Sequence, residues 1–470
     1  MAEAESRRGW HLYICVASVN LMSMIGGMGY GWPSPFIPKL NGAIDSDINP
    51  LPQPTTVMED AWIASLHTLG SIFGPLFAGV LADRYGKKVV LIVTSLPMLA
   101  ANVVLIFANS VTLFYIARFL WGLGNGCALS VIPAYVSEVS EIHNRGITSL
   151  FMPLMVCASQ NLLYFVGPYV TVKTMAIMSL VPSFIFLLHF GFYVPESPYY
   201  YVLRGETEKA EKSLKELRQI TDVKKELLGI IQTAEETKTK LSFKEIFLSK
   251  VLRKCFVITI GLMFIQQFSG VLAIVTYLQT IFNSAGSFLP GHICVMIVGV
   301  FQTGSVLVTI YIVEKINRKS LMISSYTGML VSLIILGTYF YFLDAGYNLA
   351  CFSWAPITSI LIYICCFNIA PGGLTWTILG EIFPSNVKST LSSFAAVYVF
   401  SLAFLVSFVF PPVSKLVGMA WSMWIFAISL SFGVCFLVFA LPETRNKSFT
   451  EIQRILRGDT KDKLETGHRC

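Results

Sequence analysis

The chain has 470 residues, of which 54% are hydrophobic and 13% charged, with a formal net charge of +7. A soluble domain carries roughly a quarter charged residues, so this composition excludes a water-soluble globule and, with it, most soluble enzymes. The positive charge sits in short loops between apolar runs and gives no support to a nucleic-acid partner.

Those apolar runs are about 20 residues long, enough at about 1.5 Å per residue to cross a hydrocarbon layer of about 30 Å. In chain order they predict spans at 10–31, 61–82, 89–109, 112–137, 147–170 and 174–194, then, after a charged break, at 254–282, 290–313, 320–343, 350–379, 390–412 and 418–441. The expected fold is an all-α membrane protein with twelve transmembrane helices in two six-helix halves. The expected divisions are 1–194 and 253–441 for the halves, 195–252 for a helical linker and 442–470 for a tail. Within the linker, Ser242 and Glu245 fit a capping box for a short helix leading into span seven.

Arg7 and Arg8 precede the first span without a short apolar region and small-residue cleavage site, so that span is expected to be retained as an anchor. Basic residues alternate between loops. One set holds Arg84, Lys87, Lys88, Arg145, Lys315, Arg318, Lys319, Lys388 and the linker's cations, whereas the other holds only Lys39, Lys173 and Lys415. Loops rich in Lys and Arg stay cytoplasmic, which predicts cytoplasmic termini and linker in a multi-pass protein of the plasma membrane. The acceptor triplet at Asn446 to Ser448 then faces the cytoplasm and is expected to be unmodified. The ten cysteines lie almost entirely in apolar spans without metal-ligand spacing and read as small packing residues. No cofactor or metal is implied.

A long-period repeat relates the halves. Asp83-Arg84-Tyr85-Gly86-Lys87-Lys88 returns as Glu314-Lys315-Ile316-Asn317-Arg318-Lys319, Glu138 with Arg145 as Glu381 with Lys388, and Pro195-Glu196-Ser197 as Pro442-Glu443-Thr444. Duplicated halves place a solute site between them near the bilayer midplane, with access alternating as one half rocks against the other.

Further marks follow in order: Gly79-x-x-x-Asp83-Arg84-x-Gly86, Pro133-x-Tyr135-x-x-Glu138, Pro195-Glu196-Ser197-Pro198, Gln266-Gln267-x-Ser269-Gly270, Trp376 with Glu381-Ile382-Phe383-Pro384, and Pro442-Glu443-Thr444. Together they resemble the sugar porter branch of the major facilitator superfamily from about Gly29 to Ile452. The opening Gly29-Tyr30-Gly31-Trp32-Pro33-Ser34-Pro35 looks most like the insect facilitated trehalose and glucose transporters. The resemblance implies the major facilitator fold and facilitated uniport of a sugar such as trehalose or a hexose. It also implies a charged gate or latch on the cytoplasmic side, made of Asp83, Arg84, Lys88, Glu138, Arg145 and Glu196 in the first half and Glu314, Arg318, Glu381, Lys388 and Glu443 in the second. In the second copy Lys315 and Lys388 replace Arg, which predicts a weaker latch, and Asn317 replaces Gly, a change that still permits a left-handed turn.

A neutral polyol needs amides, hydroxyls, an indole N–H and an aromatic face, and polar groups inside the bilayer are costly enough to be informative. By resemblance Gln266 and Gln267 bind solute and Tyr277 helps form an outer gate, while Gln302, Asn368 and Trp376 fall at the family's site positions. Gln160 joins them as a candidate on span five, seven residues beyond the family's glutamine position at Pro153. Leu272, Val399 and Ala403 stand where that family offers Asn. A pocket short of partners predicts weak binding of a standard hexose or preference for another solute.

Coupling to protons needs an intramembrane carboxylate beside a cation. Arg118 supplies a cation, but no acid accompanies it in span one, and His189 reads as the only other titratable group inside a span. Passive transport is therefore expected. The alternatives are a carrier of a non-sugar solute, a proton-coupled sugar symporter, and a sugar sensor that does not transport. The implied partners are a small neutral solute and the lipid bilayer, and the sequence leaves the oligomeric state open, a monomer being compatible with it.

Overall fold

The computed structural model describes residues 2–43, 49–141, 144–220, 222–236, 250–313, 315–383, 385–445 and 451. Among them there is no strand, and 11 helices are long and apolar enough to cross a membrane. They are Trp10–Leu40, Val57–Tyr85, Lys87–Ile106, Val111–Val139, Arg145–Tyr169, Val172–Tyr193, Leu252–Thr276, Gly291–Val313, Arg318–Asp344, Ala350–Ile382 and Leu391–Ala440. The last contains two spans, because Gly418 breaks the helix with φ 85° and ψ 165°, a conformation that essentially only glycine adopts. Twelve spans result, and they follow the predicted order.

Several boundaries have visible local causes. Thr56 caps span two and Glu59 returns the bond, with Thr56 N donating to Glu59 Oε2 at 2.7 Å. Span one runs past its predicted end at Gly31. A short helix, Pro33–Leu40, continues it, with Pro at a first-turn position where the missing N–H costs nothing. All eight of its residues are buried. Lys39, placed in a loop by sequence reading, is instead buried at the end of this helix and donates to the carbonyls of Gly167 (2.7 Å), Pro168 (3.0 Å) and Val170 (2.8 Å).

Spans seven and ten are discontinuous. Lys250–Phe268 gives way at Gly270, which has φ 84° and whose absent side chain leaves room for Phe426, to the short helices Val271–Thr276 and Leu278–Ala285. Span ten breaks at Ala370 (φ −135°, ψ −64°) between Ala355–Ile369 and Pro371–Ile382. Pro371 has no N–H to continue the ladder, so the break exposes carbonyls to side chains from other helices.

Apolar packing forms two main cores. One runs from Leu12 to Leu217. The other runs from Leu252 to Leu441 and admits Ile37, Ala64 and Tyr164 from the first half. Those three residues mark where the halves interlock. Between the halves lie the helices Pro198–Leu203, Thr207–Arg218 and Lys224–Glu236, with a small core of Ala210, Leu214, Val223, Leu227 and Ile230. Arg218 ties them to the end of span four, donating to Val139 O at 2.8 Å and pairing with Glu226 at 2.7 Å and Glu141 at 3.3 Å. Ser242, Glu245 and the Asn446 to Ser448 triplet lie outside the described residues.

Candidate functional site

Two lines of polar side chains converge on the break in span ten. From span seven, Gln266 Nε2 donates to Pro371 O at 2.7 Å, and its Oε1 is buried without a partner. From span five, Gln160 Oε1 accepts from Gln302 Nε2 at 2.9 Å, and Asn368 Nδ2 donates to Gln302 O at 3.3 Å and to Ser305 Oγ at 2.9 Å. Thr309 Oγ1 donates to Asn368 O at 3.1 Å. Four of the sequence candidates, Gln160, Gln266, Gln302 and Asn368, thus surround one irregular stretch of backbone. Pro371, having no N–H, withholds the bond that Phe367 O would accept in an unbroken helix, while Pro371 O accepts from both Gln266 and Thr375 Oγ1, the latter at 2.9 Å.

The other three candidates lie around this cluster. Gln267 is buried beside Gln266. Trp376 is 38% exposed and stands between the open positions Gly373 and Thr377, so one face of the helix beyond the break borders unfilled space. Tyr277 sits where the helix of span seven is interrupted again, packed on Phe410 with ring centroids 5.5 Å apart. At that end the halves touch. Gln279 N donates to Ser34 Oγ at 3.3 Å, and Trp62 of span two packs on Phe408 of span eleven at 4.7 Å. Five helical turns further along span two, Val80 lies in the same direction as Trp62 yet is 70% exposed, and a Cβ at Gly79 would meet nothing within 4 Å. This face of span two is therefore covered by the second half at the Trp62 end and uncovered by protein at the end carrying the basic loops.

A second buried polar group lies in the first half. Arg118 is covered completely by protein and donates to three carbonyls, Gly29 O (2.7 Å), Ile63 O (2.9 Å) and Ala64 O (3.3 Å), with Trp32 5.3 Å below its guanidinium. Its partner in span one is backbone. His189 is not the only further titratable group inside a span, as sequence reading had it. His67 in span two is buried with both ring nitrogens unpartnered, edge-on to Tyr30 at 4.7 Å. His189 itself is packed, bonded to Ser18 Oγ at 2.9 Å.

The charged loops pair as follows. Lys87 meets Glu138 at 2.8 Å, Ser197 Oγ donates to Glu138 at 2.5 Å, and Glu196 accepts from Lys88 N at 2.9 Å. Gly86 makes this possible: its φ is 94°, and a Cβ there would come within 2.2 Å of Glu196 Oε2. Burial raises the Glu196 pKa above its usual value, with the bonds from Ser197 N and Lys88 N opposing the shift. The Arg84 carbonyl accepts from Arg204 at 2.8 Å, while Asp83 and Arg145 are exposed. In the second half Arg318 pairs with Glu381 at 2.7 Å, and Glu443 accepts from Arg318 N and Lys319 N, both at 3.1 Å. Each of these contacts stays within one half or joins a half to the linker or tail segment that follows it. Asn317 has φ −61° and ψ 133°, an extended cap for span nine, so the left-handed turn open to Asn is not used. Glu443 reaches the N–H groups beyond it without that turn. Glu314 and the side chain of Lys388 lie outside the described residues.

Comparison with known proteins agrees with this architecture. The family described as Sugar (and other) transporter matches residues 13–456. The facilitated trehalose transporter Tret1 of Polypedilum vanderplanki is 28% identical over 448 residues, covering 95% of this chain and 88% of that protein. Tret1 of Aedes aegypti is also 28% identical over 96% of this chain, but the match spans only 55% of that longer relative. Among solved structures, the inward open conformation of the xylose transporter XylE from E. coli superposes with a TM-score of 0.77 over 94% of this chain at 21% identity, a likeness of fold. With a family match running almost from end to end over twelve spans in two halves, the chain belongs to the sugar transporter family.

Proposed function

We propose that the chain moves a neutral sugar, trehalose or a hexose, passively across the plasma membrane by alternating access. The observation that carries this reading is the convergence of Gln160, Gln266, Gln302 and Asn368 on the span-ten break, with Trp376 at its open side. Amides offer a donor and an acceptor each, and the indole face suits sugar C–H surface. The names of the curated relatives support the choice of solute.

In this reading residues 1–194 and 253–441 are the two moving bodies, 195–252 is the linker between them, and the basic loops, the linker and both termini face the cytoplasm. Solute reaches the amides from the open basic side in the state described. Closing that side while parting Ser34 from Gln279 and Trp62 from Phe408 exposes the site to the exterior. Passive movement is supported by Arg118, which donates to three carbonyls and pairs with no carboxylate among the described residues.

The test is counterflow in proteoliposomes with glucose, fructose, trehalose, polyols and non-sugars. Exchange of a sugar is expected, with no accumulation when the outside is acidified. Exchange of none of the sugars overturns the assignment, and acid-driven accumulation replaces uniport with symport.

A further inference from the structure

Spans seven and eleven offer no amide at three positions, whereas spans five and eight carry Gln160, Asn161 and Gln302. Val399 and Ala403 of span eleven are buried apolar residues, and Leu272 of span seven is partly buried. At the seam of spans five and eight, two bridges lie side by side. Gln302 bonds Gln160, and one residue along each helix Asn161 Nδ2 donates to Thr303 Oγ1. Each bridge links one half to the other.

The second bridge is incomplete. Asn161 Oδ1 is buried and has no hydrogen-bond partner. Room for it is provided by Gly299, one turn before Thr303, where a Cβ would come within 2.1 Å of that oxygen. A buried amide oxygen without a donor costs more than the mean worth of a hydrogen bond, so Asn161 Oδ1 gains from any donor that a solute brings. Solute hydroxyls are such donors, and Gln160, the residue before Asn161, is already among the solute candidates.

We propose that Asn161 and Thr303 are specificity-determining residues, with Asn161 Oδ1 accepting from a solute hydroxyl and Gly299 keeping the space that allows it. This rests on the transport reading above and deepens it: the polyol lies against the seam of spans five and eight, and its hydroxyls meet that wall while its C–H surface meets Leu272, Val399 and Ala403. Solute arrival replaces contacts between the halves with contacts through itself.

The test measures counterflow of radiolabelled D-glucose and trehalose, with each monodeoxy-glucose as competitor, for the wild type, Asn161→Ala, Thr303→Val and Gly299→Ala. Loss of one neutral hydrogen bond raises KM about 2- to 10-fold. For Asn161→Ala the penalty for one particular deoxy analogue should disappear, while the other analogues keep their wild-type ranking; Gly299→Ala, which displaces the same oxygen, should reproduce that profile. A purely structural role would weaken all analogues alike, and that result, or unchanged kinetics, overturns this inference alone. A wild type that exchanges neither sugar overturns the transport reading and the inference together.

Discussion

Removing Glu381 tests whether the charged loops govern the transport cycle. Its carboxylate meets Arg318 at 2.7 Å, with side-chain exposures of 26% and 18%, between a surface pair and a buried one. Exposed pairs contribute about 0–1 kcal/mol, whereas breaking a buried pair costs about 3–5 kcal/mol because a charge is left behind. At this partial burial we expect about 1–2 kcal/mol, a factor of about 5–30 in a two-state equilibrium. Glu381→Ala should therefore slow exchange by a factor in that range while surface expression stays near wild type. Arg318→Ala should do the same, and the double variant should lose less than the two single losses combined, as expected of a coupled pair. Initial rates of counterflow, normalised to the amount of transporter in the liposome, measure this. Unchanged uptake kinetics in Glu381→Ala would refute the reasoning. Equal slowing accompanied by a collapse in thermal stability would assign the pair to holding one half together and not to the cycle.

Gly86→Ala should destabilise the protein by about 2–4 kcal/mol, from the strained backbone and the displaced Glu196 carboxylate; a thermal-shift series in detergent that moves by less than a degree would contradict it. Leu272→Asn should tighten glucose binding by restoring an amide to the apolar wall, and an affinity that is unmoved or falls would show that position 272 does not face the solute. Because burial raises the Glu196 pKa, the folded protein binds the proton more tightly than the unfolded chain does. Stability should then fall as pH rises from 4.5 through the raised value, and Glu196→Gln should flatten that slope. A pH-stability curve identical in the two proteins would remove that argument.

The spans themselves were legible because a membrane demands length and apolarity, and both are written along the chain. The gap predicted between 412 and 418 is realised at Gly418, the residue able to make the break. The first span was read too short, since Pro33, Pro35 and Pro38 suggest a loop until the ring of each is seen within a buried helical turn. The amide cluster was legible for a different reason: Gln160, Gln266, Gln302 and Asn368 are costly in hydrocarbon and therefore conspicuous. What sequence could not supply was the pairing. Glu138 meets Lys87 from the loop after span two, Arg118 finds Gly29 O, and Asn317 stays extended because Glu443 approaches from another part of the chain. His67 was visible as a histidine among apolar residues, and only its unpartnered nitrogens distinguish it from an ordinary packed side chain.

Lys39 carries a practical consequence. Its ammonium is enclosed by three carbonyl oxygens and sealed from water, whereas Lys173 and Lys415 on the same side stand in solvent. An acylating footprinting reagent applied to intact vesicles, read by peptide mass spectrometry, should mark those two amines and leave Lys39 unlabelled for as long as the segment holding it keeps its shape. The chain thus contains its own internal reference, in which late modification of one amine reports local loosening at the C-terminal end of the first span.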